Sequence, residues 1–133
     1  PALLNDLIKM SQVRIKGKEV TIAHHLYQNY GPKSKLIVEV LLKDPASGRL
    51  ISEDPPVTAA EIVHGVREEW ALKLSDVVFR RTDLGQFHCP SPEALQAAAE
   101  IMAKELGWDG RRTQEEVQEV FEVYRPLKKQ DDV

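Results

Sequence analysis

Apolar residues recur every three or four positions along most of this chain, the period of a helix with one buried face. In "TIAHHLYQNYG", Ile22, Leu26, Asn29 and Tyr30 keep that spacing. Gly31 then stops the helix and Pro32 prevents its continuation. "KSKLIVEVLLKDP" is β-branched enough for a strand, but Leu36, Ile37, Val40 and Leu41 share one helical face. The period favours a helix that ends at Asp44-Pro45. The prolines of "EDPP" (Glu53 to Pro56) predict a loop. Thr58-Ala59-Ala60-Glu61 has the form of a capping box, with Ile62, Val63, Val66 and Trp70 as the apolar stripe behind it. Ser75-Asp76 reads as a break and a second cap before Val77, Val78 and Phe79. Ser91-Pro92 is an N-cap with proline at the first helical position. Ala94, Leu95, Ala98, Ile101, Met102 and Leu106 follow at helical spacing until Gly107. Thr113 to Glu116 reads as another capping box, ahead of Val117, Val120, Phe121 and Tyr124, with Pro126 ending the helix.

The first twenty residues are less regular. Leu3, Leu4, Leu7 and Ile8 suit a weak helix, while "VRIKGKEV" alternates like a loop or a short extended piece. The expected architecture is all-α: a compact bundle of five or six helices with short loops. Residues 1–20 are expected to be a linker or weak helix, 21–127 the helical domain, and 128–133 a flexible polar tail.

Composition narrows the function. At 133 residues, with 42% hydrophobic and 29% charged positions, the chain suits one domain with a core that needs no disulfide or metal. A net charge of -3 and an isoelectric point near 5.8 argue against a dedicated nucleic-acid binder. The lone Cys89 leaves no intrachain disulfide framework and fits a reducing compartment. No apolar run approaches the roughly 20 residues that span a bilayer, and "PALLNDLIKM" lacks the basic start of a signal peptide. The expected location is cytoplasmic. Because the chain begins at Pro1 rather than Met, the expectation is a piece of a longer polypeptide.

Specific chemistry is sparse. The metal-ligand candidates are His24-His25, His64 and His88-Cys89. Adjacent residues on a helix point about 100° apart, and no C-x-x-C or H-x-x-x-H spacing occurs, so no metal site is expected. Cys89 as a nucleophile would need a base and an electropositive niche, with His88 beside it in sequence. The glycines, at 17, 31, 48, 65, 85, 107 and 110, exclude both G-x-G-x-x-G and the Walker A loop. Glu68, Glu69 and Asp76 could supply an acid–base pair, but a solvated helix face is the commoner use of such residues.

The segment "EIVHGVREEWALKLSDVVFRRTDLG", Glu61 to Gly85, is the exception in its charge density. One reading is a solvated face with helical pairs worth a few tenths of a kcal/mol each. The sharper reading joins Arg67, Glu69, Asp76, Arg80 and Arg81 in a partly buried ionic network. Arginine suits it, because its planar fork bonds carboxylates bidentately.

That segment closely resembles the signature of the C-terminal helical domain of FAD-dependent glycerol-3-phosphate dehydrogenases and the related glycerophosphate oxidases. The resemblance rests on Glu61, Val66-Arg67, Glu69, Asp76-Val77 and Arg80-Arg81-Thr82. "HLYQNYG" (His25 to Gly31) and "MAKELGWD" (Met102 to Asp109) are similar to further family motifs, in the family's order. The match covers roughly residues 24 to 125. It implies an accessory domain rather than a whole enzyme. The N-terminal FAD-binding domain of the same polypeptide would hold the flavin, with no cofactor in this chain. The parent would oxidise sn-glycerol 3-phosphate to dihydroxyacetone phosphate. It would pass electrons to quinone, as a peripheral protein on the cytoplasmic face of a membrane, or to oxygen. Arg67, Glu69, Asp76, Arg80, Arg81 and Thr82 would then be motif or interface residues. Two alternatives stay open: a free-standing helical interaction module, and a small enzyme built on His88, Cys89 or the carboxylates.

Overall fold

The computed structural model describes residues 12–15, 18–53, 55–85 and 88–131. The weak helix expected in residues 1–10 lies outside them. The described residues open with a hairpin of β1 (Gln12–Ile15) and β2 (Lys18–Thr21), in which Val13 pairs with Val20. This is the extended piece expected from "VRIKGKEV". Helix α1 (Ile22–Tyr30) follows at once.

Gly31, at φ +57, ends α1 as expected. Pro32 does not keep the chain out of helix, however. It sits in a 3-10 turn, Gly31–Lys33, that feeds directly into α2 (Ser34–Lys43). Proline is tolerated in a first turn, where its missing N–H has no partner to lose. The helical period of "KSKLIVEVLLKDP" is borne out: Ile37 and Leu41 are buried, and Leu36 sits at the exposed edge of the stripe.

"EDPP" is not simply a loop. β3 (Leu50–Glu53) and β4 (Pro56–Thr58) form a second hairpin in which Glu53 faces Pro56 and Leu50 faces Thr58. Pro56 opens its strand, a position where proline is tolerated. The fold is therefore mostly helical, as expected, with two small hairpins that helical periodicity does not register. β4 delivers Thr58 to the start of α3 (Ala59–Glu69).

Helix α3 is the hub. Every residue from Ala59 to Gly65 is buried. Its Ala60 joins a core of Leu26, Ile37 and Leu41 from α1 and α2. Its Ile62 joins a larger core that includes Leu74, Val78, Leu95, Met102 and Val120.

The stripe does not extend to Trp70. The Ala71 N–H turns back to the Gly65 carbonyl at 3.0 Å, Trp70 adopts φ +60, and the buried residue is Ala71. Trp70 itself is 80% exposed. The next helix, α4, starts as a single turn, Leu74–Asp76, and widens into a π turn, Val77–Arg81. Its N-cap is Lys73, so Ser75-Asp76 is not the cap. Asp76 sits in the first turn, and its carboxylate accepts from the Lys73 and Leu72 N–H groups at 3.3 and 3.4 Å.

Helix α5 (Pro92–Leu106) has the Ser91 cap and the Gly107 stop, at φ +75, that the sequence predicts. Helix α6 (Gly110–Asp131) departs twice from expectation. Its cap is Asp109, whose Oδ1 accepts from the Arg112 N–H at 2.7 Å, so Thr113 and Glu116 lie inside the helix and form no capping box. The helix also runs through Pro126 rather than ending there.

Candidate functional site

The capping box at Thr58 and Glu61 does more than start α3. The Thr58 hydroxyl accepts from the Glu61 N–H at 3.3 Å, and the Thr58 N–H donates to Glu61 Oε2 at 2.6 Å. This local exchange holds the Glu61 carboxylate between the two cores, 2% exposed. Helix α1 supplies its remaining partners. Tyr30 Oη donates to Glu61 Oε1 at 2.9 Å, and His25 Nε2 lies 3.2 Å from Oε2. Asn29 Nδ2 lies 3.3 Å from His25 Nδ1. Burial pushes the Tyr30 phenol well above its ordinary pKa, and the Glu61 charge and hydrogen bond push the same way. Tyr30 therefore remains a neutral donor.

A second carboxylate, Glu69 at the end of α3, continues the network. His64 Nε2 lies 3.1 Å from Glu69 Oε1, and an Arg81 guanidinium nitrogen donates to Oε2 at 3.0 Å. The Tyr30 and His64 rings meet edge to face, with centroids 6.0 Å apart. Tyr30 Oη also reaches the Arg81 carbonyl at 3.4 Å. The π turn places Arg81 for this pairing. It is closed by Thr82, whose N–H and hydroxyl both donate to the Val77 carbonyl at 3.1 and 2.7 Å.

Between the end of α1 and the π turn lies an open polar cleft of about 540 Å³. Gln28, Asn29, Tyr30 and Lys33 line one part of it, and Glu69 with Arg80, Arg81, Thr82 and Asp83 line the rest. Lys33 and Arg80 form no ion pair among the described residues. No group of three potential metal ligands occurs among the described residues. The His88 ring contacts the Cys89 carbonyl at 3.2 Å, and the Cys89 thiol donates to the Pro90 carbonyl at 3.5 Å. The arrangement is one that positions elements and presents charge.

The residues expected to form one network are thus divided. Glu69 and Arg81 are joined, and Arg80 and Thr82 share their cleft. Arg67 pairs elsewhere, bidentately, with Glu105 of α5 at 2.9 and 3.2 Å. Asp76 holds backbone instead of a guanidinium. The sequence reading missed His25, Tyr30 and His64 as network members, and it took Glu61 as a cap and a motif residue rather than as the centre of a buried network.

It also missed a second buried acid. Glu116 accepts from the Leu74 N–H at 3.0 Å and pairs with Lys73 and Arg112 at 3.3 and 3.1 Å. It ties α6 to the start of α4. The sequence offers Lys73 and Arg112 as ordinary surface charges and Glu116 as a capping-box acid, and only the packing of α6 buries that acid.

Comparison with known proteins gives this arrangement a context. The probable mitochondrial glycerol-3-phosphate dehydrogenase of Dictyostelium discoideum is 33% identical over 97 residues, covering 72% of this chain and 15% of that protein. The mitochondrial glycerol-3-phosphate dehydrogenase of Rattus norvegicus is 35% identical over 108 residues, covering 77% of this chain and 15% of its own length. The Schizosaccharomyces pombe enzyme of the same name is 30% identical over 124 residues, covering 74% and 19%. The chain thus spans less than a fifth of the length of these relatives. No solved structure matches significantly. A family model described as the C-terminal domain of alpha-glycerophosphate oxidase matches residues 3–113, which takes in α1 to α5 and the whole Glu61–Glu69–Arg81 network, and the chain belongs to that family.

Proposed function

We propose that this chain is the C-terminal accessory domain of a FAD-dependent enzyme that oxidises sn-glycerol 3-phosphate to dihydroxyacetone phosphate. Its task is to pack on the flavin-containing body of the same polypeptide and give that junction a defined shape. The family match over residues 3–113 carries this reading. The relatives named glycerol-3-phosphate dehydrogenase, each several times longer than this chain, support it.

The flavin is assigned to that body rather than to this chain. A dinucleotide cradle needs glycines, spaced G-x-G-x-x-G, that let a pyrophosphate approach the backbone at a helix N-terminus. The glycines of this chain, at 17, 31, 48, 65, 85, 107 and 110, never take that G-x-G-x-x-G spacing. On this reading FAD belongs to the body, and no catalytic step is assigned to residues of this domain.

The Glu69–Arg81 pair and the Glu61 network hold α1, α3 and the π turn in one geometry, and the cleft edge they set faces the junction. Lys33 and Arg80 add positive charge there, which favours an anionic substrate approaching the body. The parent is proposed to sit on the cytoplasmic face of a membrane, while the three relatives cited are named mitochondrial. Cell fractionation decides between those compartments.

The test is Arg81→Ala in the full-length polypeptide. Lower stability, or a raised KM for glycerol 3-phosphate, is expected. Unchanged stability together with unchanged KM would reject the role given to the pair. An immunoblot of the native polypeptide tests the domain reading itself: a band near the 15.0 kDa of this chain overturns it.

A further inference from the structure

Trp70 combines two costs that a free-standing domain has no reason to keep together. Among the described residues it is the most exposed of the large apolar side chains, at 80%, and the one non-glycine residue with positive φ. The left-handed position after a helix is usually glycine, because a Cβ is strained there. Here an indole occupies it and points its surface to water.

The loop that carries it is pinned on both sides. Ala71 is buried in the main core and returns its N–H to Gly65. The Leu72 and Lys73 N–H groups are both held by Asp76. Leu72, 56% exposed, stands two residues from Trp70. Two apolar side chains are thus displayed on a backbone that has little freedom left. This is how a preorganised aromatic anchor is built, since rigidity lowers the entropy lost on docking. It also gives Asp76 of the charged motif a use that the ionic network does not.

Resting on the reading above, we infer that Trp70 and Leu72 are the anchor by which this domain docks on the flavin-containing body of its own polypeptide. The occupant follows from length. The matched region takes up only 15% of these relatives' length, so most of such a polypeptide's surface lies in the remainder. Glu69, immediately before Trp70, lines the charged cleft, so apolar anchor and charged edge adjoin in the chain.

The experiment uses the full-length polypeptide. Hydroxyl-radical footprinting with mass spectrometry reads Trp70 oxidation in the native and denatured protein, at several protein concentrations. Strong protection of Trp70 that persists on dilution is the expected result. Oxidation at the rate of the denatured chain overturns the inference while leaving the domain reading intact. Protection that is lost on dilution overturns it in favour of a second copy. A native polypeptide no longer than this chain overturns both. Trp70→Gly provides an independent arm, because glycine relieves the backbone strain. Trypsin is expected to release the domain from the body at least about ten-fold faster in this variant, the size expected for loss of an aromatic anchor. Unchanged release overturns the anchor role.

Discussion

The Tyr30 hydroxyl donates to Glu61 at 2.9 Å, across 31 residues of sequence, and joins the end of α1 to the first turn of α3. Because the acceptor is a buried carboxylate, Tyr30→Phe is expected to cost about 1.5–3 kcal/mol. Urea denaturation of variant and parent measures it. A loss below the error of that measurement would show that Glu61 finds a replacement donor.

The same bond has a pH signature. The folded-state pKa of Tyr30 is raised, while the unfolded phenol ionises near 10.0. Above that pH the unfolded chain releases a proton that the folded chain keeps, so stability falls as pH rises. Below it the contribution is fully present. Lys73, held by Glu119 and Glu116, is also raised and adds to the slope in the same direction. Stability measured from about pH 8 to 11 should therefore fall less steeply in Tyr30→Phe than in the parent.

Glu61→Gln keeps the volume but sets an amide N–H2 against a donor, either Tyr30 or the Thr58 N–H and hydroxyl. A loss of about 2–3 kcal/mol is expected, from one buried donor left without an acceptor. Equilibrium unfolding of the two proteins is the measurement, and equal midpoints would contradict the buried network.

Glu116→Ala strips the buried Leu74 N–H of its acceptor and is expected to cost about 1–3 kcal/mol. Lys73→Ala removes only a part-exposed partner of the same acid, so a change below about 1 kcal/mol is expected. Thermal melts of the two variants should rank them in that order.

Two glycines should respond with opposite signs. A Cβ on Gly65 would meet its neighbours at 3.7 Å or more, and alanine favours the helix by about 0.5–1 kcal/mol, so Gly65→Ala should stabilise. On Gly85 a Cβ would lie 2.6 Å from Val78 Cγ1 and 3.0 Å from the Val78 carbonyl. Gly85→Ala should cost about 1–3 kcal/mol through overpacking. Melting temperatures shifted the same way would refute the contrast.

What could be read from sequence was what is decided locally. Ser91-Pro92, Gly107 and the Thr58–Glu61 exchange are complete within four residues, and each stands where the pattern places it. Trp70 continues the period of Ile62 and Val66, so periodicity alone puts it in the core. The burial of Ala71 decides otherwise, and that depends on α4 and α5. Thr113 and Glu116 satisfy the capping-box spacing as well as Thr58 and Glu61 do. Only Asp109, four residues earlier, takes the cap. Of the charged motif, the Glu69–Arg81 pair was legible as chemistry but not as geometry. Its other half comes from His64 and from the π turn, and no residue spacing announces a change of helical pitch.

That change of pitch makes Val77–Arg81 an insertion written into a helix. Without the extra residue the segment would close as ordinary α-helix, and everything after it would rotate by about 100°. Arg81 would swing off Glu69, and the Thr82 closure on Val77 would dissolve. A single-codon deletion here would therefore re-aim the two arginines while sparing every residue of the core sequence before it.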